Sequence, residues 1–514
     1  MRDPVDWPTE DLLAHRMRVT PDRTALVDAD GDRTWTYGEL DRDVDDLGGA
    51  LAAAGVDPGD RVGLLLGTRP AFVRLIHAAM RLRATLVPLN AELTTDELGP
   101  QVERAGVDHL VCEADTAPAA VRVAGNAPVL SVDPEAHEAV RSLAPIVAER
   151  PGGDAVPERP VAREWTQLIM FTSGTTGDPK GVRLTAGNLV ASATASAFRL
   201  GIRPGGRGGG AGDGDRWLVP LPMYHMGGLA PVVRSTLYGT AVVLQRSFDA
   251  TETAAVVERH GATGISMVPT MLTRLLEADW RPPDRLRFVL LGGAPTPPEL
   301  VERSRDRGVP VFPTYGLTET ASQVATATPA QAFDHGDTVG QPLLFADVTV
   351  VGPDGRPLAP GKRGELVVDG PTVTPGYLDD DRTAAAFGEH GLHTGDVGYR
   401  DDDGLLSVVG RVDDAIVTGG ENVRPAKVAD AVRAHPAVAD AAVVGLPDPE
   451  WGERVAALVV PESGADPDVD RLAAHCRDRL AGFKVPKTWG VADELPRTAS
   501  GTVDRAAVRD RLGE

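Results

Sequence analysis

Cysteine, lysine and aromatic residues are all scarce in this sequence, and long hydrophobic runs are missing. The only cysteines, Cys112 and Cys476, lie far apart with no CxxC pattern or histidine cluster beside them, so neither a disulfide framework nor a zinc site is supported. No segment approaches the ~20 apolar residues that a membrane-spanning helix needs. The N-terminus is acidic and lacks the basic start and apolar run of a secretory signal. We therefore expect a soluble, cytoplasmic protein with no membrane span.

The charge of the chain is strongly one-sided. Asp and Glu number 74 against 52 Lys and Arg, which gives a formal net charge of -22, and very few of the basic residues are lysines. Such a chain is a poor partner for nucleic acid or for an anionic membrane. An acid-rich, lysine-poor surface suits a protein kept soluble in concentrated salt, so we hypothesise a halophilic protein.

The order of apolar runs indicates an α/β fold with largely parallel sheets. Residues 61–66, 85–89 and 288–291 are short β-branched or leucine-rich runs, and each is followed by a stretch with helical spacing. Thr94 stands three residues before Glu97, which predicts a helix that begins with a capping box.

The length and the change of pattern along the chain predict more than one domain. A chain of 514 residues exceeds the size at which a single core stops growing, roughly 250 to 300 residues. Short strands with Gly and Pro turns begin near residue 348 and include 364–368, and a compact α+β pattern follows, with a helix at 425–434 and strands at 441–444 and 455–460. The predicted domains are a large N-terminal domain, 1–411, with a β-rich subdomain at about 345–411, and a small C-terminal domain, 412–514.

The strongest chemical signal is a loop rich in glycine and hydroxyl groups that follows the apolar run 168–171. The loop consists of Thr172, Ser173, Gly174, Thr175, Thr176, Gly177, Asp178, Pro179, Lys180 and Gly181. Its glycines let backbone N–H groups close around phosphate oxygens, its hydroxyls add donors, and Lys180 supplies a mobile positive charge. It differs from the GxxxxGK[ST] loop, and we predict a triphosphate cradle. The glycine-rich segment 203–216 has no GK[ST] ending and is predicted to be a surface insertion.

The loop is the first of seven motifs, which are, in chain order, Thr172 to Gly181, Pro222-Met223-Tyr224-His225, Gly292-Gly293-Ala294-Pro295, Tyr315-Gly316-Leu317-Thr318-Glu319, Thr394-Gly395-Asp396, Gly410-Arg411 and Gly419-Gly420-Glu421-Asn422. With these motifs the sequence resembles the adenylate-forming superfamily of acyl-CoA synthetases, peptide-synthetase adenylation domains and luciferases, over nearly its whole length. The resemblance implies an acid–thiol ligase that uses ATP, Mg2+ and coenzyme A. It also implies a small C-terminal domain that rotates about a hinge at Asp413.

The resemblance implies a role for each motif. Attack of a carboxylate on the α-phosphate joins two anions, so cations and fixed donors must offset the developing charge. Thr318 is similar to the family's phosphate-contacting hydroxyl and Glu319 to its Mg2+ ligand. Asp396 would accept the ribose hydroxyls, and Arg411 would hold the ribose and phosphate. The adenine would be flanked by Gly292, Gly293, Ala294, Pro295 and Tyr315, and Gly316 would also contact the nucleotide. The second half-reaction would use Gly419, Gly420 and Glu421.

The acyl substrate is indicated by two further positions. His225 falls where the family lines the acyl pocket and gates the thiol tunnel, and no aspartate lies between Pro220 and Leu229, which disfavours an amino acid substrate. The segments around 87–98, 290–300 and 308–323 are similar to those of 2-succinylbenzoate–CoA ligases of menaquinone biosynthesis. In that subfamily a basic residue after the His motif meets the second carboxylate, and Arg234 occupies the matching place.

Alternatives to that assignment stay open. Arg234 could instead be an arginine on a helix surface, and the protein could be a general aryl- or medium-chain acyl-CoA ligase. The sequence also leaves a homodimer open.

One position departs from the family pattern. The family's C-terminal PRTxSGK motif supplies a lysine during adenylation, whereas here Thr502 holds that place after Gly501. Loss of such an electrostatic contact typically lowers the rate by ~10²-fold or more. Lys484, Lys487 and Arg505 are candidate replacement cations. A paralogue that binds nucleotide with weakened catalysis is therefore a further alternative.

Overall fold

The protein is described by a computed structural model. The residues that the structure describes are 10–134, 136–144, 160–172, 179–203, 214–411, 416–418, 421–423, 425–448, 451–480, 482–498 and 502–513. The chain divides into two compact units. The first comprises Met1–Thr349, Val367–His393 and Asp401–Ser407, and the second comprises Val350–Leu366, Thr394–Arg400 and Val408–Glu514. A domain boundary after residue 411 stays a prediction.

The strands of the described residues are numbered in chain order. Those before residue 200 are β1 (Thr24–Asp28), β2 (Arg33–Thr36), β3 (Arg61–Leu65), β4 (Thr85–Pro88), β5 (His109–Cys112), β6 (Val129–Ser131), β7 (Arg141–Ser142), β8 (Thr166–Thr172) and β9 (Lys180–Thr185). The next are β10 (Arg216–Val219), β11 (Ala241–Leu244), β12 (Gly264–Met267), β13 (Phe288–Leu291), β14 (Val311–Leu317), β15 (Ser322–Thr326) and β16 (Gln341–Pro342). These are followed by β17 (Asp347–Val351), β18 (Gly364–Asp369), β19 (Gly376–Tyr377), β20 (Phe387–Gly388), β21 (Gly391–Arg400) and β22 (Leu406–Arg411). The last are β23 (Ile416–Thr418), β24 (Glu421–Val423), β25 (Val438–Asp448), β26 (Gly452–Pro461) and β27 (Thr488–Val491).

The helices are numbered in the same way. The first ones are α1 (Leu12–Val19), α2 (Tyr37–Ala53), α3 (Pro70–Leu82), α4 (Thr95–Ala105), α5 (Ala117–Val123), α6 (Ala186–Leu200), α7 (Met226–Tyr238) and α8 (Ala250–Arg259). They are followed by α9 (Pro269–Glu277), α10 (Pro298–Asp306), α11 (Pro329–His335), α12 (Asp380–Ala386), α13 (Pro425–Arg433), α14 (Val469–Arg477) and α15 (Arg505–Gly513). Short 3-10 helices lie at Thr318–Thr320 and Gly482–Lys484. None of the helices in the described part of the chain combines the length and the apolarity that crossing a bilayer demands.

Two large sheets form the framework of the first unit. One has nine strands in the order β16-β15-β14-β13-β12-β10-β11-β1-β2, and the other has eight in the order β19-β9-β8-β4-β3-β5-β6-β7. Their central pairs, such as β12 with β13 and β3 with β4, are parallel. Strands β4, β11, β12 and β13 are buried at every residue, which is typical of parallel sheets covered by helices. The predicted α/β class is confirmed.

The local signals in the sequence account for the beginnings of these elements. The predicted runs at 61–66, 85–89 and 288–291 are β3, β4 and β13. Thr94 caps α4, and its backbone N–H donates to the Glu97 carboxylate at 2.9 Å, as the capping-box prediction requires. The side chain of Thr36 caps α2 in the same way.

A third sheet and a fourth sheet follow in the chain. The third has the order β17-β18-β21-β20, with β22 beside β21. The fourth, in the second unit, has the order β24-β23-β26-β25, and β27 runs parallel to β26. One of its faces packs with α13 and α14, through Val432, Val443 and Leu472, and the other packs with α15, through Leu458 and Val508. This is the α+β pattern expected for the C-terminal part.

The two cysteines are buried free thiols in different elements. Cys112 ends β5 and Cys476 lies in α14. Burial raises the pKa of the Cys112 thiol to about 12, so that it is not ionised at neutral pH.

Candidate active site

The predicted phosphate loop connects two neighbouring antiparallel strands. Strand β8 ends at Thr172 and β9 begins at Lys180, and these two residues pair with each other across the hairpin. The strand predicted to lead into the loop is therefore confirmed. Of the loop itself, Ser173, Gly174, Thr175, Thr176, Gly177 and Asp178 lie outside the described residues.

Thr318 and Glu319 lie at the tip of a second hairpin, between β14 and β15. Leu317 pairs with Ser322, so that the 3-10 turn Thr318–Thr320 is the connection. Ala321 and Ser322 have φ angles of 51° and 104°, which L-residues adopt at a free-energy cost of ~1–3 kcal/mol each. Such outliers cluster at functional sites, because the surrounding structure must hold them in place.

Gly316 makes this tight hairpin sterically possible. A Cβ atom at Gly316 would lie 1.6 Å from the carbonyl oxygen of Ser322, so that no side chain fits. The pairing of β14 with β15 shifts register between Tyr315 and Gly316. Bulges of this kind re-aim a side chain next to active sites. The glycine and the bulge together set the direction of the turn that carries Glu319.

Lys180 and Glu319 meet around Tyr377, a residue that the sequence did not single out. The Tyr377 hydroxyl donates to Glu319 Oε1 at 3.0 Å. Lys180 Nζ lies 5.4 Å from the centroid of the Tyr377 ring, within the range of a cation–π contact. Lys180 of the first hairpin and Glu319 of the second hairpin therefore both contact the side chain of Tyr377.

The predicted adenine contacts lie at the carboxyl ends of two parallel strands. Strand β13 ends at Leu291, directly before Gly292, and it is parallel to β14, which carries Tyr315. A Cβ atom at Gly292 would lie 2.6 Å from the Thr314 methyl carbon, so the glycine lets this loop approach β14. Gly293 has a φ of 80°, which favours glycine. The loop continues through Ala294 and Pro295, and such carboxyl ends are where open α/β sheets bind ligands.

His225 is the N-cap residue of α7. Its ring lies edge-on to Tyr224, with 4.8 Å between the centroids, and its Nε2 atom is buried without a hydrogen bond. Burial lowers the pKa of His225, so the imidazole is neutral at pH 7. A neutral ring with one unsatisfied nitrogen can form one hydrogen bond with a ligand.

Arg234 lies in the middle of the buried helix α7 and is 2% exposed. Its Nη2 donates to Ser192 Oγ at 3.2 Å, and Ser192 Oγ donates to the Ala321 carbonyl oxygen at 2.7 Å. Its Cζ lies 5.8 Å from the centroid of the Trp217 ring, and its Nε has no hydrogen-bond partner. Among the described residues no carboxylate forms an ion pair with this guanidinium, and burial lowers the pKa of Arg234. The alternative that Arg234 is a helix-surface arginine is wrong.

Asp396 and Arg411 belong to the second unit, and the structure brings them together there. Arg411 Nη1 donates to Asp396 Oδ1 at 3.0 Å, and Arg411 Nη2 donates to the Thr394 carbonyl oxygen at 3.3 Å. Asp396 is buried, whereas Arg411 is half-buried and its Nε has no partner. The motif Thr394-Gly395-Asp396 and the motif Gly410-Arg411 therefore form one polar group.

The candidate replacements for the missing lysine differ in their surroundings. Thr502 Oγ1 and Thr498 Oγ1 are 2.7 Å apart and hydrogen-bonded. Lys487 lies over the Trp451 ring at 4.0 Å, and Lys484 lies over the Phe483 ring at 5.2 Å. Arg505 begins α15, and its pKa is lowered first by burial and then by two arginines, Arg509 and Arg411. Arg411 is thus close enough to Arg505 to lower its pKa.

The remaining predicted positions are only partly described. Gly419, Gly420 and the hinge residue Asp413 lie outside the described residues, as do 204–213 of the glycine-rich segment. The backbone of Glu421 pairs with Thr418 between β24 and β23.

The candidate metal ligands of this site fit a magnesium ion that is coordinated mainly by phosphate oxygens. In the described residues no group of three or more His, Cys, Asp and Glu could hold a metal ion. Magnesium bound with a nucleotide commonly takes one or two carboxylates and completes its shell with phosphate oxygens and water. Glu319, fixed on one oxygen by Tyr377, is a carboxylate of that kind.

Two family profiles match this chain. The AMP-binding enzyme family matches residues 13–378, and the AMP-binding enzyme C-terminal domain matches residues 427–502.

Three similar proteins cover nearly the whole chain. A 2-succinylbenzoate–CoA ligase of Bacillus velezensis is 38% identical over 98% of this chain and 97% of its own length. A feruloyl-CoA synthase of Amycolatopsis is also 38% identical, over 99% of this chain and 98% of its own. The solved structure of Bacillus subtilis o-succinylbenzoate CoA synthetase with its acyl-adenylate intermediate has a TM-score of 0.88 and 34% identity, and covers 98% of each chain. The same synthetase in complex with ATP and a magnesium ion has a TM-score of 0.87, 34% identity, and coverage of 98% of this chain and 99% of its own.

Proposed function

This chain belongs to the AMP-binding enzyme family, and we propose that it is an ATP-dependent acid–CoA ligase acting on 2-succinylbenzoate in menaquinone biosynthesis. In the first half-reaction the acid and ATP give an acyl-adenylate and pyrophosphate. In the second, the thiol of coenzyme A displaces AMP and gives the thioester. The observation that carries the choice of acid is Arg234, a buried guanidinium without a carboxylate partner in the described part of the chain.

The adenylation half-reaction requires positive charge where two anions meet. Lys180, at the end of the phosphate loop, would face the triphosphate, and Thr318 would contact the phosphates through its hydroxyl. Glu319 would hold magnesium, which when bound offsets negative charge on the phosphate oxygens. Tyr315 and the loop that begins at Gly292 would flank the adenine.

The remaining roles belong to the second unit and to α7. Asp396 would accept the ribose hydroxyls, and Arg411, already paired with it at 3.0 Å, would be held ready for the ribose and phosphate. His225 would line the acyl pocket with its unsatisfied Nε2. We propose that residues 412–514 rotate about Asp413 between the half-reactions, and that Gly419 to Glu421 serve the second.

The proposal for the acid rests on the charge balance around Arg234. Burial of a guanidinium without a counter-charge is unfavourable by several kcal/mol. Through Ser192 the guanidinium is linked to Ala321, which directly follows the turn carrying Glu319, so it lies next to the site rather than in a remote core. A dicarboxylate activated at one end retains a second carboxylate, and a planar bidentate donor suits that group.

A comparison of acids with and without the second carboxylate tests this role. Thioester formation with MgATP and coenzyme A is measured for 2-succinylbenzoate and for ferulate, in the wild type and in Arg234→Met. We expect kcat/KM for 2-succinylbenzoate to fall about 100-fold in Arg234→Met, because a hydrogen-bonded buried charge pair contributes about 1.5–3 kcal/mol. The rate with a monocarboxylate that the wild type accepts should change little.

Arg199→Met is the matched control, since Arg199 is a half-buried arginine on the neighbouring helix α6. It should leave both acids unaffected. If Arg234→Met lowered the rates with both acids equally, Arg234 would be a structural residue and the dicarboxylate proposal would be wrong.

An aryl monocarboxylate is the second candidate acid. The feruloyl-CoA synthase of Amycolatopsis is as similar to this chain as the 2-succinylbenzoate–CoA ligase of Bacillus velezensis, at 38% identity each. The same panel decides between them, because a wild type that prefers ferulate over 2-succinylbenzoate would favour this function.

A paralogue with weakened catalysis is the third candidate, and Thr502 favours it. Acid-dependent exchange of pyrophosphate into ATP measures the first half-reaction alone. Absence of exchange with every acid of the panel, at low and at high KCl, would support this candidate over the ligase.

We further propose a cytoplasmic location, where ATP and coenzyme A are available, and adaptation of the acidic surface to concentrated salt. A homodimer is one alternative for the assembly. Light scattering of the purified protein measures the molar mass of the assembly directly.

A further inference from the structure

A short segment, residues 374–378, runs beside the strand that begins with the phosphate-loop lysine. Tyr377 pairs with Val182 in the antiparallel β19–β9 ladder. The Leu378 backbone N–H then donates to the Gly181 carbonyl oxygen at 2.8 Å. The backbone of the segment is thereby fixed next to the first residues of β9, and Tyr377 lies within reach of Lys180.

The same segment is also bonded to the turn that carries the candidate metal ligand. The Thr374 backbone N–H donates to the Glu319 carbonyl oxygen at 2.7 Å, and the Thr374 hydroxyl donates to the Arg183 carbonyl oxygen. The Tyr377 hydroxyl donates to Glu319 Oε1 at 3.0 Å. Glu319 is thus held by one hydrogen bond to its side-chain carboxylate, from Tyr377, and by one to its backbone carbonyl oxygen, from Thr374.

Tyr377 itself has little freedom to move. It is 4% exposed, and its backbone N–H donates to Thr383 Oγ1 at 2.9 Å. The preceding Gly376 has a φ of 138° and would clash with Thr383 if it carried a Cβ atom. The ring and the hydroxyl are therefore presented from a rigid position.

We propose that Tyr377 is a positioning residue that holds Glu319 for the metal and Lys180 for the triphosphate, and keeps these opposite charges from neutralising each other. Lys180 and Glu319, both described, do not form an ion pair with each other. Lys180 contacts the ring face of Tyr377, and Glu319 accepts from its hydroxyl. A glutamate has several rotatable bonds, and a hydrogen bond from a fixed donor selects one orientation of its carboxylate before the metal binds. The inference rests on the proposed function in that it takes Glu319 as the metal ligand.

Two substitutions separate the hydroxyl from the ring. Tyr377→Phe removes the hydrogen bond to Glu319 and keeps the ring under Lys180, whereas Tyr377→Leu removes both. Tyr37→Phe is the matched control, because the Tyr37 hydroxyl is equally buried but lies 2.8 and 2.7 Å from the backbone carbonyls of Ser235 and Thr240.

The first measurement is ATP binding by calorimetry, without acid or coenzyme A, in the absence of magnesium and at saturating magnesium. The ratio of the two affinities is the coupling between metal and nucleotide, which a purely structural role of Tyr377 would not change selectively. We expect this coupling to fall about tenfold in Tyr377→Phe, the loss typical of one hydrogen bond to a charged group. Tyr377→Leu should in addition weaken ATP binding without magnesium several-fold, because Lys180 loses the ring. Tyr37→Phe should keep the wild-type coupling, whatever its stability.

The second measurement, acid-dependent pyrophosphate exchange, separates this inference from the proposed function. Exchange in the wild type with unchanged coupling in Tyr377→Phe would overturn the role of Tyr377 and leave the ligase function intact. Reduced coupling in Tyr377→Phe without exchange in the wild type would support the role of Tyr377 and count against the ligase. A wild type that binds ATP equally well with and without magnesium would overturn the inference, because there would be no coupling for Tyr377 to maintain.

Discussion

Arg81→Met should be among the most destabilising single substitutions in the first unit. Arg81, in α3, forms ion pairs with Asp11 at 3.2 Å, Asp41 at 2.5 Å and Asp45 at 2.6 Å, and so joins α1, α2 and α3. The side chains of Arg81, Asp11 and Asp41 are only 6%, 8% and 8% exposed. Methionine fills similar space but leaves two buried carboxylates without a cation. Removal of one partner from a buried ion pair lowers the free energy of unfolding by about 3–5 kcal/mol.

The loss should also depend on pH, in a direction that follows from the pKa of Asp41. Burial raises the pKa of Asp41 in the folded protein, although Arg81 lowers it. A group whose folded pKa is raised contributes stability below its unfolded pKa, and this contribution is lost as the pH rises through the folded pKa. Without Arg81 the folded pKa rises further, because the lowering influence is gone. The destabilisation by Arg81→Met should therefore be largest at neutral pH and should shrink as the pH is lowered through the raised pKa of Asp41.

Urea unfolding followed by tryptophan fluorescence, at several pH values from neutral to mildly acidic, measures this difference. The double variant Arg81→Met with Asp41→Leu should recover part of the loss, because it removes one of the unpaired charges. The exposed Arg42→Met, on α2, should change the free energy of unfolding by no more than about 0.5 kcal/mol. A loss below about 1 kcal/mol for Arg81→Met, or one independent of pH, would refute the reasoning.

Three further predictions concern activity. Thr502→Lys should raise the rate of pyrophosphate exchange by about 100-fold, because it supplies the charge that the family's lysine provides. The thiolysis of supplied acyl-adenylate should stay unchanged. Equal exchange rates in the wild type and in Thr502→Lys would argue that another cation already acts. Gly316→Ala should abolish exchange, since its Cβ would lie 1.6 Å from the Ser322 carbonyl oxygen, whereas Gly49→Ala, where nothing lies within 4 Å, should be neutral or stabilising. Ligase activity should increase with KCl concentration, and an optimum at low salt would contradict the adaptation inferred from the charge of -22.

The sequence predicted best those features that depend on neighbouring residues. The capping box of Thr94 and Glu97 and the strand that ends at Thr172 are local signals, and both are present. Tyr377 could not be found in this way. Its role depends on the pairing of β19 with β9 and on a hydrogen bond to Glu319, 58 residues earlier in the chain. No local pattern encodes such a register, because it arises when distant strands pack.

The environment of Arg234 was predictable only in part. Its position after the His motif suggested a contact with a carboxylate, but its burial depends on how α7 packs. This helix is apolar nearly all round, from Leu229 to Val233 and beyond, which is typical of a buried helix rather than of a surface one. The apolar composition was therefore the signal that argued against a surface arginine.

Arg81 and Arg234, two buried arginines of the first unit, show how charge balance separates a structural group from a candidate binding group. Arg81 is surrounded by three carboxylates that the fold itself supplies, so no ligand is needed to offset its charge. Arg234 is also buried, yet its guanidinium contacts a serine hydroxyl and an aromatic ring, and its Nε has no hydrogen-bond partner. Folding alone does not favour such an uncompensated charge, since a neutral side chain of similar size would serve the core better. The compensation for Arg234 is therefore expected from a bound anion, and the second carboxylate of the acid is the anion that the reaction leaves in place.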